Sequence, residues 1–202
     1  MTATTINPGA TDPGAIDPEA GDRRAGPVVV LEQLLQARED RVIRRNAVLA
    51  WHRGPVVAVS VVMPGPVKDC LLARRVQAAA LDALVAACAD RGWPAHAVYA
   101  ETPPSGPEAL FAVTAAAEAV KRAMIELEDQ HPLGRLWDLD VIAPDRHALS
   151  RRALGFAPRR CLVCQEPAHA CARSQAHGLD GLLAVMENRL DAWTHALRHR
   201  DV

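Results

Sequence analysis

Aromatic side chains are scarce in this sequence: Phe, Trp and Tyr make up 3% of 202 residues, although half of the residues are apolar. A core of that composition has to be built from Ala, Val and Leu, which favours helices packed tightly against a sheet. The same scarcity removes the stacking platforms on which single-stranded nucleic acids are bound. Excess charge is missing too. Lys and Arg total 23 against 24 Asp and Glu, for a formal charge of -1, which argues against a generally basic nucleic-acid binder. No apolar run approaches the roughly 20 residues that a membrane span needs, and the N-terminus lacks the apolar stretch of a secretory signal. The expectation is a cytoplasmic protein with neither nucleic acid nor membrane as partner.

What is present is organised. The length suits one compact domain with a real core plus a small appendage. Residues 1–27 carry four Pro and four Gly in a five-residue repeat, Asn7-Pro-Gly-Ala-Thr11, Asp12-Pro-Gly-Ala-Ile16, Asp17-Pro-Glu-Ala-Gly21. With almost nothing to bury, this segment is expected to be a disordered tail, leaving a single domain over 28–202. Leu31, Leu35, Val42 and Leu49 recur at helical spacing, with Arg38, Glu39, Arg41, Arg44 and Arg45 on a face read as solvated. The run Val56–Val62 is β-branched and nearly all apolar, as in a central strand. Leu72, Val76, Ala80, Leu84 and Cys88 predict a helix closed by Gly92 and Pro94. Strands are expected over 95–101, 109–114 and 136–142, with a helix at 115–129 and another at the C-terminus marked by Leu183, Met186, Leu190, Trp193 and Leu197. From 56 to 142 the order is strand, helix, strand, strand, helix, strand. That predicts an α+β two-layer sandwich with a βαββαβ ferredoxin-like core, flanked by N- and C-terminal helices.

Asp138 and Asp140 stand two apart on a predicted strand and so project from one face, while Trp137, Leu139 and Val141 project from the other. Two carboxylates on a rigid element suit Mg²⁺, a hard cation usually bound by a few carboxylates together with substrate phosphates. Arg146, Arg151, Arg152, Arg159 and Arg160 follow, and guanidinium groups hold phosphate oxygens in pairs. Lys68 lies between a strand end and a helix start, a place that favours an anion, and Asp69 beside it reads as a helix cap. His131, just before the acidic strand, is either a base reaching the reacting centre or a loop histidine bonded to backbone.

Five cysteines is an odd count, and three fall within eleven residues. Cys161, Cys164, Cys171 and His177 form C-x₂-C-x₆-C-x₅-H, enough soft and nitrogen ligands for a tetrahedral Zn²⁺. A set of reduced thiols in a tight loop is the alternative. With all four ligands from protein, a zinc there is structural.

Joined together, these segments resemble a known family. Ser105-Gly-Pro-Glu108, Ile125-Glu-Leu-Glu128, His131-Pro-Leu-Gly-Arg-Leu-Trp-Asp-Leu-Asp-Val141, Leu149-Ser-Arg-Arg152, Pro158-Arg-Arg-Cys-Leu162, Cys164, Cys171-Ala-Arg173 and His177 are similar to the apo-citrate lyase phosphoribosyl-dephospho-CoA transferases. So are Ala37-Arg38-Glu39, Arg41, Pro64-Gly-Pro66, Lys68-Asp69 and Arg74-Arg75. The resemblance implies a transferase whose donor is 2′-(5″-triphosphoribosyl)-3′-dephospho-CoA and whose acceptor is a serine on the γ (acyl-carrier) subunit of apo-citrate lyase, with diphosphate leaving. On that reading Asp138 and Asp140 hold Mg²⁺, one of them or His131 receives the serine proton, and Lys68, Arg135, Arg159 and Arg160 neutralise phosphate.

The related transferase of malonate decarboxylase resembles the polymerase-β-like nucleotidyltransferases, which makes that fold the alternative. Its Gly-Gly or Gly-Ser turn before the acids has no counterpart at 125–129, which read Ile-Glu-Leu-Glu-Asp. Two other functions stand beside the main one: the equivalent transfer to the malonate decarboxylase carrier, and a zinc-hooked module over 158–177 that binds protein or RNA.

Overall fold

A computed structural model of the chain describes residues 22–199. The element order is α1 (Leu31–Leu49), β1 (Val56–Val61), α2 (Leu71–Ala89), β2 (Ala95–Glu101), β3 (Glu108–Val113), α3 (Ala117–Gln130), β4 (Trp137–Ile142), α4 (Ala168–Ser174) and α5 (Leu179–Arg198), with single 3₁₀ turns at Gly134–Leu136 and Arg152–Leu154. The result is an α+β fold on one four-stranded sheet in the order β2-β3-β1-β4, with every neighbouring pair antiparallel. The short helix α4, inside the cysteine-rich segment, has no periodic signal in the sequence.

Strand alternation sorts the side chains into two layers. One face carries Val57, Val59, Phe111, Val113, Trp137, Leu139 and Val141, which meet Leu72, Val76, Ala80 and Leu84 of α2, Val120 and Met124 of α3, and Leu183, Met186 and Leu190 of α5 in the main core. The buried Trp137 donates its indole N–H to the Val76 carbonyl at 3.0 Å, so the largest core side chain leaves no polar group unpaired. The other face carries Val56, Leu110, Ala112 and Ile142, whose apolar cover is Val48 and Leu49 at the C-terminal end of α1, with Val98 and Tyr99 of β2 packed alongside. Beyond that short cover this face stays open, and the open half is where the acidic residues lie.

Of the tail expected over 1–27, residues 1–21 lie outside the described residues. Over 22–27 the chain is tied to α5: Arg23 pairs with Asp191 at 2.6 Å and Arg24 with Glu187. Gly92, with φ +67°, ends α2 in the left-handed conformation that glycine adopts without penalty. Gly134 is needed for a different reason, since a Cβ there would stand 2.2 Å from the Leu127 carbonyl oxygen. The turn before β4 therefore lies directly on the last carbonyls of α3. No helix among the described residues is long and apolar enough to cross a membrane.

Candidate active site

The register of three strands builds the site. Ser60 on β1 is opposite Glu108 of β3 on one side and Asp138 of β4 on the other, and Ala58 is likewise flanked by Leu110 and Asp140. Asp138, Asp140 and Glu108 therefore share one sheet face. With Tyr99 from β2 and Arg41, Arg44 and Arg45 from α1 they line a cleft of about 170 Å³. The α1 arginines, expected to be solvated, instead form its wall. Arg41 and Arg44 both bond the buried Glu108 carboxylate, which also accepts from the Tyr99 hydroxyl at 3.2 Å. The Arg45 Nε is buried without a hydrogen-bond partner among the described residues.

Neither aspartate is sealed in the core: Asp138 is half-buried and Asp140 is exposed to the cleft. The cleft walls still crowd Asp140. Partial desolvation pushes its carboxyl above the usual aspartate range, and the like charge of Asp138 adds to this, against the opposing pull of Lys121, Arg159 and Arg45. Asp138 accepts a hydrogen bond from Arg159 Nη1 at 3.3 Å. Hard oxygen donors converging on an open cleft, with cations beyond them, fit Mg²⁺ carried in with a polyphosphate.

β4 is an edge strand, yet much of its free edge is bonded. The Leu139 amide donates to Glu128 Oε1 at 3.0 Å, the Leu139 carbonyl accepts from Lys121 Nζ at 3.0 Å, and the Trp137 carbonyl accepts from Arg159. Further along, the Val141 carbonyl accepts from the Leu149 amide at 2.8 Å. Glu128 and Lys121 of α3, with Arg159 and the Leu149 amide, thus stand in for a fifth strand, and the two α3 side chains hold the two peptides that link the aspartates. Burial pushes the Glu128 carboxyl up, opposed by Arg159, the Leu139 amide, Lys121 and Arg151. Glu128 and Lys121 carry no motif that sequence reasoning could attach to this task. The signal was only that a helix otherwise apolar on one side keeps charges there.

The remaining predicted site residues are distributed unevenly. His131 is on the opposite side of the sheet, stacked on Trp137 with ring centroids 4.4 Å apart; its Nδ1 accepts from the Leu133 amide at 3.1 Å, and burial lowers its pKa. That is the backbone-bonded loop histidine of the sequence reading. Lys68 bends back to donate to the Met63 carbonyl, and burial lowers its pKa. Arg160 is turned outward onto Gln165 at 2.6 Å. Asp69 does not cap α2, whose first turn has no side-chain cap; its carboxylate is held by Arg74 at 2.7 and 2.8 Å.

Arg159 and Arg135 do come together. Both line a second, larger cavity of about 650 Å³, bounded by the loop after β1, the cysteine-rich segment and the start of α5. The Arg135 guanidinium is partly buried, which lowers its pKa, and the neighbouring Arg159 lowers it further.

Cys161, Cys164, Cys171 and His177 also converge, with one ligand atom from each lying within 4.8 Å of all the others. The loop thiol of Cys164 and the α4 thiol of Cys171 are close enough to interact directly, with their sulfurs 3.4 Å apart. The His177 Nε2 is buried with no hydrogen-bond partner among the described residues, as a nitrogen reserved for a metal would be. Burial pushes the Cys161 thiol up, but hydrogen bonds from the Cys164 and Val163 amides and from the neighbouring thiols outweigh it and leave a pKa of about 6. The donor set, spacing and orphaned nitrogen fit a structural zinc.

Comparison with known proteins shows which family the chain resembles. The family model described as apo-citrate lyase phosphoribosyl-dephospho-CoA transferase matches residues 29–193. A protein of that name from Escherichia coli O9:H4 (strain HS) is 44% identical over 163 residues, covering 81% of this chain and 89% of the relative. Its namesake from Citrobacter koseri is 45% identical over 159 residues, covering 79% and 87%. One from Shigella boydii serotype 18 is 43% identical over 163 residues, covering 81% and 89%.

Proposed function

The chain belongs to the apo-citrate lyase phosphoribosyl-dephospho-CoA transferase family, and from that premise we propose how its cleft attaches the prosthetic group to apo-citrate lyase. The observation that carries the reading is the pairing of Asp138 and Asp140 on one open face beside Arg159.

The donor is 2′-(5″-triphosphoribosyl)-3′-dephospho-CoA and the acceptor a serine hydroxyl of the γ (acyl-carrier) subunit. The serine oxygen bonds to the α-phosphorus, the bond from that phosphorus to the bridging oxygen breaks, and diphosphate leaves with its electron pair. Asp138 and Asp140 would hold Mg²⁺, which when bound would neutralise charge on the triphosphate. One of the two carboxylates takes the serine proton; His131, on the other side of the sheet, is left out of it. Arg159 exchanges Asp138 for phosphate as the donor enters, and Arg135 adds a second cation. Lys68 and Arg160, each bonded elsewhere, support the loops rather than the phosphates. Glu108, with Arg41 and Arg44, braces the α1 wall.

Structurally, the strand order β2-β3-β1-β4 supports a split βαβ, ferredoxin-like palm over the polymerase-β-like alternative,. Zinc at Cys161, Cys164, Cys171 and His177 holds the segment that delivers Arg159. The five free cysteines support a reducing, cytoplasmic setting,.

The test is direct. Protein, Mg²⁺, triphosphoribosyl donor and apo-carrier are incubated, and the intact carrier is weighed. The carrier gains the mass of the prosthetic group with the wild-type chain and not with Asp138→Asn or Asp140→Asn. An unmodified carrier with the wild-type chain, or full modification by either variant, rejects the reading.

A further inference from the structure

We infer that the larger cavity seats the dephospho-CoA half of the donor, with its internal diphosphate bridging Arg135 and Arg159. This rests on the transferase reading above and adds to it a second subsite, separate from the cleft where phosphorus is attacked.

Several observations converge on that occupant. The cavity, at about 650 Å³, is nearly four times the volume of the diacid cleft at about 170 Å³, and it falls within the size range of small-molecule sites, about 300–1,000 Å³. Val62, Met63, Leu162, Leu179 and Leu182 give it mostly apolar walls. Val62 and Leu179 keep 46% and 41% of their surface exposed, so part of this apolar lining is open to a ligand.

Its basic side chains are Arg135 and Arg159, set across from the cluster residues Cys161, Cys171 and His177 that close one side of the cavity. Arg159 Nη2 reaches the Arg135 carbonyl at 3.5 Å, so the two arginines are immediate neighbours. The Arg135 guanidinium has no ion pair or hydrogen bond among the described residues. Arg159 has carboxylate partners in Asp138 and Glu128, whereas Arg135 has only the longer-range pull of Asp129 and Glu128, so an anion entering here meets one open guanidinium and a second that it can share with Asp138. A ligand with a diphosphate between a flat base and an aliphatic arm matches this combination, and dephospho-CoA has that construction.

The two sites are also connected. Arg159 lines the cavity while its Nη1 touches Asp138, which lines the cleft. One ligand can therefore occupy both, with its reactive triphosphate on the diacid side and its coenzyme body on the apolar side. Binding energy from the unreactive body would then position the reacting phosphorus.

Dephospho-CoA lacks the triphosphoribosyl group and cannot react, which makes it the probe. It is titrated calorimetrically, without Mg²⁺, into the full-length wild-type chain, Arg135→Gln, Leu182→Trp and the double variant Asp138→Asn/Asp140→Asn. The double variant, in which Arg159 is released from the Asp138 charge, should bind at least as tightly as the wild type. Arg135→Gln should raise Kd about tenfold or more, as expected for loss of a charge-assisted contact, and Leu182→Trp, which fills the cavity, should abolish binding. In turnover, Arg135→Gln should raise KM for the triphosphoribosyl donor and leave KM for the apo-carrier unchanged. If Leu182→Trp does not fold by circular dichroism, Arg135→Gln decides the matter alone.

The assignment is overturned if the wild type ignores dephospho-CoA, or if Arg135→Gln binds it normally. A rise in KM for the carrier instead of the donor also overturns it and makes the cavity a protein-docking surface. Failure of the subsite and failure of the function are distinguishable: a chain that modifies the carrier but ignores dephospho-CoA loses the subsite alone. A chain that binds dephospho-CoA through Arg135 but never modifies the carrier keeps the subsite and loses the function.

Discussion

Glu128 accepts the Leu139 amide at 3.0 Å, so a helix side chain holds the first of the two peptides that link the aspartates of the cleft. An edge strand left to water would fray, and Asp138 and Asp140 would lose their common direction. The active-site geometry thus depends on a buried carboxylate that never faces the substrate.

Replacing Glu128 with Ala should destabilise the fold by about 1–3 kcal/mol, the cost of leaving a buried donor unmade, and should lower turnover by loosening β4. Chemical denaturation and faster exchange of the Leu139 amide hydrogen check this together. Wild-type stability with unchanged exchange would remove the role. Burial raises the Glu128 pKa in the folded state, so its contribution is fully present below the ordinary glutamate range and declines as pH rises through the folded value. The loss caused by the substitution should therefore be larger at mildly acidic pH than at neutral pH.

Asp140 should titrate above the ordinary aspartate range because of burial first and Asp138 second. Its ionised form is needed to hold Mg²⁺, so in the metal-free protein the affinity for Mg²⁺ should begin to fall on acidification at a higher pH than a free aspartate would give. In Asp138→Asn the like charge is gone and the Asp140 midpoint should move down, while staying above the ordinary value because burial remains. Carboxyl carbon NMR reads both midpoints. A wild-type midpoint at or below the ordinary range would contradict the crowding described for the cleft. The same sign predicts that Asp140→Asn does not lower the denaturation midpoint at neutral pH, where folding works against the Asp140 charge.

The Cys/His cluster should carry about one equivalent of zinc per chain, as such four-ligand sets do. Metal analysis of the purified protein measures it. Cys164→Ser should lose the metal, and hydrogen exchange should quicken over residues 158–177 while the sheet stays protected, because the ligands organise that segment and not the core. Arg159 would then be delivered less firmly to Asp138, and KM for the donor should rise. Retention of zinc by Cys164→Ser, or identical exchange with and without metal, would contradict this.

Much of the fold was legible before any coordinates. The strands at Val56–Val61, Ala95–Glu101, Glu108–Val113 and Trp137–Ile142 follow apolar runs and turn residues, because burial on a pleated surface imposes its period directly on the chain. The common face of Asp138 and Asp140 was legible for the same reason, and so was the grouping of Cys161, Cys164, Cys171 and His177, where short spacing keeps the ligands near one another. The α1 arginines were misread: a charged helix face has the same pattern whether it meets water or a buried Glu108.

The sequence by itself determined the local terms: which segments are strands and helices, that two carboxylates share a face, that four metal-type ligands lie close along the chain, and which family the motifs resemble. Tertiary structure alone decided that α1 covers only half of the outer face, that His131 lies behind the sheet, and that Glu128 and Lys121 complete the edge of β4. It also decided that Arg135 and Arg159 meet at one cavity. Each of these depends on pairing between residues distant along the chain, and periodicity records how a residue faces its own element, not which partner stands opposite.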